Sequence, residues 1–508
     1  VQFIMASIAL PSDANRNGTF SFSTDRAFDA NDPSTYPERF SILVPDGSTA
    51  YQRQYSYGMF LQDKWRLTDL TIDIGLRYDL EITKIQPKDN PLMTPGQYPV
   101  DKNNLGPRIG FAWNPGGSTT SVVRGGYGMF FEKTRLGATA GFVSPSSTVF
   151  TDSFTATFPT SSADPGPSQG QMPTNPYLVN GPVVNWALLN QTYPSGSTQR
   201  NTGTVYLDNP DRHVPYIHQV SIGYQRQLAQ QLSGSVDFVH SWTRDQLITF
   251  NLNPGVRVNT SRTGRINYTD LYDIAGQLGI SPFVNPVLTR QNVGTGQYSG
   301  LNFQLEKRYA NNWSARVSYA LGFADANFQN GNQTDTNLFQ YLDDPRLDLA
   351  KGPSSFNRRH NFVVSGRLEV PKTHGMTVSG TYRYMTGTAF TLLDTTFDLD
   401  QNGILFDPIP AGDYCGVGTN PYCVTNKGGK GGAYGPNYTQ TDMRFGWRFR
   451  PRGNATLDAY FEVFNILGQT NWANPSGDKR ENTFLLLTAL YGANGYPRQG
   501  QVGIRLGF

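Results

Sequence analysis

Asp398-Leu-Asp400-Gln-Asn402-Gly403 places oxygen-bearing side chains at alternate positions and then a glycine. Oxygens at the first, third and fifth positions of such a loop wrap a hard cation such as Ca²⁺, and the glycine permits the sharp turn. The bidentate Glu expected at position twelve is missing, because Ile409 stands there; Asp407 is the carboxylate that could take its place. Asp398, Asp400, Asn402 and Asp407 are therefore the candidate metal ligands, and Ca²⁺ is the one cofactor the sequence suggests. The competing reading is an Asp/Asn/Gly surface turn, which needs no metal.

The remaining reactive side chains form no catalytic set. The two cysteines, Cys415 and Cys423, sit in a Gly/Pro/Asn-rich stretch. In an oxidising cell envelope they are expected to close one small loop disulfide, the alternative being two free thiols. No histidine lies near enough to complete a zinc site. The five histidines (His213, His218, His240, His360, His374) lack metal-ligand spacing, and no Ser/His/Asp grouping emerges. Lys427-Gly-Gly-Lys-Gly-Gly432 fails the phosphate-loop spacing and reads as a flexible loop. An enzyme is not expected.

The elements that would position these groups are strands. From residue 70 to 83, Leu70, Ile72, Ile74, Leu76, Tyr78, Leu80 and Ile82 alternate with Thr71, Asp73, Gly75, Arg77, Asp79, Glu81 and Thr83. A period of two gives one apolar and one polar face. Ordinary strands run about 5–6 residues, whereas a tilted strand crossing a bilayer needs roughly 9–11. Charged residues make up 16% of the chain, below the roughly 25% of a soluble domain. The formal charge of +3 is too small to imply nucleic-acid binding. No stretch approaches the roughly 18 apolar residues of a membrane helix, so a membrane-spanning chain of this kind must be a closed barrel.

Alternating segments come in pairs: 51–67 with 70–83, 105–114 with 120–133, 218–228 with 232–244, 299–309 with 313–324, 361–370 with 376–390, and 443–449 with 455–464. Within a pair the turn is short. Between pairs the linkers are long and rich in Gly, Pro, Asn, Ser and Thr: 84–104, 134–213, 245–296, 325–357, 391–437 and 467–499. Short periplasmic turns alternating with long extracellular loops are the arrangement of an outer-membrane barrel. An early strand near 19–28 and a last one at 502–508 bring the expectation to roughly 14 strands, with 203–208 a further short strand. The fold class is thus all-β, an antiparallel transmembrane β-barrel. A soluble sandwich or propeller is the alternative, but its loops would rarely be long on one side only.

The facing follows. Asp73, Arg77, Asp79, Glu81, Arg108, Arg124, Arg444 and Arg448 are expected to face the lumen, and the apolar partners to face lipid. Trp65, Tyr78, Trp113, Tyr127, Trp242, Tyr382 and Trp447 are candidates for interfacial girdles. Val502, Ile504, Leu506 and Phe508 alternate at the end of the chain. That ending resembles the β-signal by which the outer-membrane barrel assembly machinery recognises a last strand offered for strand addition.

Several strings resemble the barrel of TonB-dependent outer-membrane transporters: FLQDKWRLTDLTIDIGLRYDLE (60–81), PRIGFAWNP (107–115), RGGYGMFFEK (124–133) and EVFNILGQTNW (462–472). SGLNFQLEKRYANNWSARVSYALGFADA (299–326) and NRRHNFVVSGRLEVP (357–371) resemble its Oar-like branch. The resemblance runs over nearly the whole chain. It implies a barrel of about 22 strands occluded by a plug, coupled through a TonB box to the inner-membrane TonB complex. It also implies a carboxypeptidase-regulatory-like domain ahead of the plug. None of these upstream parts is recognised in residues 1–508. Val1 is not a start methionine, and no basic region precedes the apolar run 1–10. The expectation is the C-terminal portion of such a barrel, binding or moving an unidentified substrate across the outer membrane. An adhesive or structural surface protein acting through its long loops is the alternative function.

Overall fold

A computed structural model gives the architecture. It describes the chain outside residues 1, 12–18, 23, 28, 30–36, 45–48, 86–98, 134–151, 158–177, 180–182, 185–186, 188–190, 192–204, 208, 210, 252–254, 269–286, 329–349, 374, 404, 406, 450–454, 493–496 and 508. No helix among the described residues is long and apolar enough to cross a membrane, which says nothing about crossing by strands.

One 16-stranded sheet dominates. Fourteen of its strands follow a single path in chain order. They are β1 (Gln2–Pro11), β2 (Thr49–Arg66), β3 (Leu70–Ile85), β4 (Leu105–Trp113), β5 (Ser121–Phe131), β6 (Tyr216–Ala229) and β7 (Leu232–Asn251). The path continues with β8 (Val287–Ala310), β9 (Trp313–Ala326), β10 (His360–Glu369), β11 (Met376–Met385), β12 (Tyr438–Phe449), β13 (Thr456–Phe464) and β14 (Gln499–Gly507). Every neighbouring pair on the path is antiparallel. The sheet is open: among the described residues β1 and β14 each pair on one side only. It is the wall of a partial barrel.

Local chemistry sets the short turns. Asn311 and Asn312 take φ of 53° and 67° between the paired ends Ala310 and Trp313. A type I′ two-residue hairpin turn, whose twist matches that of the strands, needs positive φ at both central residues, and asparagine tolerates that conformation. Between β4 and β5, Gly116 and Gly117 supply the same backbone freedom at φ 62° and 68°.

The expected early strand is corrected. The first strand of the wall is Gln2–Pro11, paired with β2, rather than 19–28. Thr19–Phe22 instead joins Pro37–Val44 and Asp152–Thr157 in a separate three-stranded sheet. The short strand within 203–208 is present as Val205–Leu207, parallel to the start of β8. Strands β7 and β8 run beyond the expected 232–244 and 299–309. An irregularity at Thr243–Gln246, with Asp245 at φ 58°, lets pairing resume further out.

The register fixes two faces. Leu70, Ile72, Ile74 and Leu76 of β3 stand opposite Trp113, Phe111, Ile109 and Pro107 of β4. Further round, Phe303 pairs Tyr319, Phe445 pairs Phe461, and Ile504 pairs Ala459 on the same face. Many side chains on this face are exposed in the isolated chain: Leu61 is 78% exposed and Ile504 70%. An apolar band spanning the whole wall exceeds what a water-facing surface carries, and lipid is the solvent that matches it. The tryptophans Trp65, Trp113, Trp313 and Trp447 lie at the short-turn end of their strands, at interface depth.

Candidate functional site

The opposite face of the wall carries the charge. Asp73, Arg77, Asp79, Glu81, Arg108, Arg124, Arg444 and Arg448 all occupy it by register. Most are paired. Arg77 grips Asp79 through Nε at 2.8 Å and Nη2 at 2.8 Å. Lys64 meets Asp73 across the β2–β3 pair at 3.1 Å. Arg444 meets Glu462 at 3.0 Å, and Arg448 reaches Asp458 through two nitrogens at 2.5 and 2.9 Å.

The Arg124–Asp237 pair shows how the sequence makes room. The two residues sit on β5 and β7, with Gly223 of β6 between them in register. Arg124 Nη2 donates to Asp237 Oδ1 at 2.9 Å over that glycine. A Cβ on Gly223 would lie 1.9 Å from Asp237 Oδ1, so only glycine lets the bridge cross. Exposed pairs like these contribute about 0–1 kcal/mol each, so their effect is to fix the pattern of charge on the wall.

At the loop end two long connections fold together. Leu392, Ile409, Ala433 and Leu485 are buried in one cluster, against which Phe390, Tyr414, Tyr422, Val424 and Phe484 pack. The connections 386–437 and 465–498 therefore share a small core. The Leu393 amide donates to the Gly477 carbonyl at 2.8 Å, and Tyr422 to Leu485 at 2.8 Å. Burial raises the Tyr422 phenol above its ordinary range. Cys415 and Cys423 are bonded, facing each other in the hairpin of Gly412–Cys415 and Cys423–Asn426.

The glycine-rich stretch expected to be flexible is instead shaped by this cap. Gly428, Gly429 and Gly431 have positive φ, and the buried Lys430 donates to the carbonyls of Ala326 at 2.8 Å and Phe328 at 3.0 Å. Its ammonium ties the cap to the top of β9.

The candidate cation loop is part of the same cap. Carboxylate oxygens of Asp398, Asp400 and Asp407 lie within 4.8 Å of one another. Asn402, the remaining candidate, donates from its amide side chain to Asp400 Oδ2 at 3.1 Å. Asp398 is fully buried and already engaged. It accepts the Asn402 amide at 3.1 Å and the Gly403 amide at 2.9 Å, and Arg257 Nε stands 2.8 Å from its Oδ2. Burial pushes the Asp398 carboxyl up, against the opposing pull of the Gly403 amide and Arg257. Arg257 also donates to the carbonyls of Arg262, Gly264 and Gly403. The guanidinium thus supplies the counter-charge that a cation would supply. A cation on the Oδ2 side of Asp398 would compete with that guanidinium, while one carboxylate oxygen from each of Asp398, Asp400 and Asp407 still converges.

Arg257 was invisible as a partner in the sequence, because it stands in a different loop, 141 positions before Asp398. Of the histidines, His218, His240 and His360 lie on the apolar face, each with Nδ1 hydrogen-bonded to a hydroxyl, of Tyr127, Ser299 and Tyr319 respectively. His213 pairs with Asp245 at 2.9 Å. His374 lies outside the described residues. Val502, Ile504 and Leu506 share the apolar face of β14, whose other edge is unpaired among the described residues; Phe508 lies outside them.

Comparison with known proteins agrees with this geometry. No curated protein matches the chain in sequence. Among solved structures, the outer membrane transporter YddB from Escherichia coli superposes with a TM-score of 0.51 at 12% identity, over 99% of this chain and 50% of that one. The FrpB iron transporter from Neisseria meningitidis gives 0.45 at 13% identity, over 90% and 45%. The pyoverdine outer membrane receptor FpvA from Pseudomonas aeruginosa PAO1 gives 0.45 at 10% identity, over 91% and 43%. The chain thus spans about half the length of these structures, and at 12% identity the likeness to YddB speaks to fold alone. A family model, the outer membrane beta barrel domain, matches residues 7–501. With an apolar outer band, a charged inner wall and that match over nearly its full length, the chain belongs to the outer membrane β-barrel domain family and resides in the outer membrane.

Proposed function

We propose that the chain is the C-terminal part of the barrel of a TonB-dependent transporter of the Oar-like branch. In this reading a solute binds the extracellular cap and the barrel mouth, then passes along the charged inner wall when TonB acts on a plug. No bond is made or broken. The observation that carries the reading is the division of one sheet into a lipid-suited face and a face of ordered ion pairs. A purely adhesive protein needs its loops outside but has no use for a patterned interior. The strings at 299–326 and 357–371 support the Oar-like assignment, and the alternating β14 supports insertion by the barrel assembly machinery. The proposed partners are the lipid bilayer, that machinery, the TonB complex and a solute.

The test uses the full-length gene in its own cell. Solutes depleted from the medium are compared by mass spectrometry in strains with and without the protein, each with and without TonB. At least one solute is expected to need both for uptake. A depletion profile unchanged by either deletion would overturn the reading.

A further inference from the structure

A groove of about 580 Å³ lies on the outer, lipid-suited face of the wall. It starts at the turn between β6 and β7 and climbs across β8 and β9. Its walls are apolar: Tyr224, Leu228, Val236, Phe303, Leu305 and Tyr319. Register puts these side chains on one face, with Val236 opposite Phe303 and Gly234 opposite Leu305. Ser235 and Gln304, which also line the groove, turn their side chains to the inner face by the same register. Gly234 keeps the middle open. A Cβ there would make only ordinary contacts, the nearest to Leu228 Cδ1 at 3.4 Å, so the backbone does not require glycine.

One charged residue lines the groove, Arg226. It stands opposite Gly234 on β7 and Ser121 on β5, near the short-turn end of β6. Arg226 is exposed, and its side chain makes no hydrogen bond or ion pair among the described residues. Lys307, the other cation on this part of the face, is engaged. Its Nζ donates to the carbonyls of Ala310 at 2.8 Å and Trp313 at 2.9 Å, and it lies 4.0 Å from the centroid of the Trp313 ring. From the short turns up to the level of Phe303, the outward positions of β5–β9 carry no carboxylate by register. A cation on a lipid-facing surface is tolerated near the interface, where its head reaches the phosphate layer. Trp313 marks that depth.

We infer that the groove holds one anionic glycerophospholipid of the periplasmic leaflet. Its phosphate accepts from Arg226, and one acyl chain lies over Gly234 toward Phe303 and Tyr319. A guanidinium matches phosphate oxygens with paired N–H donors, and those of Arg226 are uncommitted. Charge selects the head group. A phosphatidylglycerol answers Arg226 with a net negative charge, and its glycerol needs no acidic partner. The ammonium of a phosphatidylethanolamine would meet two cations and no carboxylate. A second copy of the chain packed on this face would bury Arg226 against a surface with no counter-charge, which is costly. The inference rests on residence in the outer membrane and holds whether or not a solute crosses the inner wall.

Native mass spectrometry of the full-length protein released from detergent tests it, with dioleoyl phosphatidylglycerol and dioleoyl phosphatidylethanolamine as probes. The wild type is expected to retain one phosphatidylglycerol about tenfold more tightly than phosphatidylethanolamine. Arg226→Met and Gly234→Leu are each expected to lose about tenfold, the first by removing the phosphate donor and the second by filling the groove. Arg505→Met, on the inner face of β14, is expected to retain the lipid as the wild type does. Heat-modifiable gel migration verifies that each variant folds, and the comparison of the two lipids in the wild type stands without any variant. Equal retention of the two lipids, undiminished phosphatidylglycerol binding in folded Arg226→Met or Gly234→Leu, or a dimer free of lipid would each overturn the proposal.

Discussion

Arg257 and Asp398 are the pair whose separation costs the cap most. Removing one partner of a buried ion pair leaves an uncompensated charge, at about 3–5 kcal/mol. Arg257→Met is therefore expected to loosen the cap and expose the stretch 391–437 to limited proteolysis, while the wall persists. A digestion pattern like the wild type would contradict the role given to the pair. Calcium titrated into the wild-type protein is expected to bind more weakly than to Arg257→Met, since Arg257 already answers the charge of Asp398. The motif itself was legible at Asp398, Asp400 and Asn402; what it binds was not, because its partner comes from another loop. Asp478 adds a pH dependence. Burial raises its carboxyl, but the Thr395 hydroxyl at 2.7 Å, the Arg480 and Thr395 amides and the Arg480 guanidinium outweigh that and lower it below the usual range. A depressed carboxyl stabilises the fold above its unfolded pKa, and that stability is lost as pH falls through the folded value. The cap's melting temperature, followed by near-ultraviolet circular dichroism, is expected to fall on acidification through the lower carboxylate range. The fall should be smaller in Asp478→Asn.

At the scale of elements, the strands were the most legible part of the chain. A bilayer imposes length and a strict period of two, and β3 writes both into Leu70–Ile82 without interruption. The hairpin turns were legible for a related reason: Asn311-Asn312 and Pro115-Gly-Gly117 carry the backbone conformations that short turns require. The misplaced first strand shows the limit. Thr19–Phe22 is a strand, but period two does not say which sheet a strand joins. Strands β7 and β8 run past their simple alternation because nothing in the sequence marks the irregularity at Asp245. The facing of β3 predicts an asymmetry. Lys at a lipid-facing midplane costs about 2–4 kcal/mol and at a lumen-facing site little. Ile74→Lys should lower the folded, heat-modifiable fraction in outer membranes far more than Thr71→Lys, and equal losses would refute the facing. Deleting Phe508 should reduce the amount of assembled protein, measured in the same way.

At the scale of the molecule, the loops carry more order than their composition announced. Gly, Pro, Asn and Ser mark turns, so 391–437 and 467–499 read as separate connections. Their shared core of Leu392, Ile409, Ala433 and Leu485 joins positions far apart in the chain and shows no period. The same limit hid the Arg108–Phe130 stack, which forms only when β4 and β5 stand side by side. What unites wall and cap is the assignment of the two faces of one sheet. Site-directed spin labels placed singly at residues 72 through 77, in the full-length protein reconstituted in bilayers, test it most directly. Collision with oxygen should peak at 72, 74 and 76, and collision with a water-soluble nickel chelate at 73, 75 and 77. Equal accessibility along the strand, or the inverse pattern, would contradict the barrel-wall account.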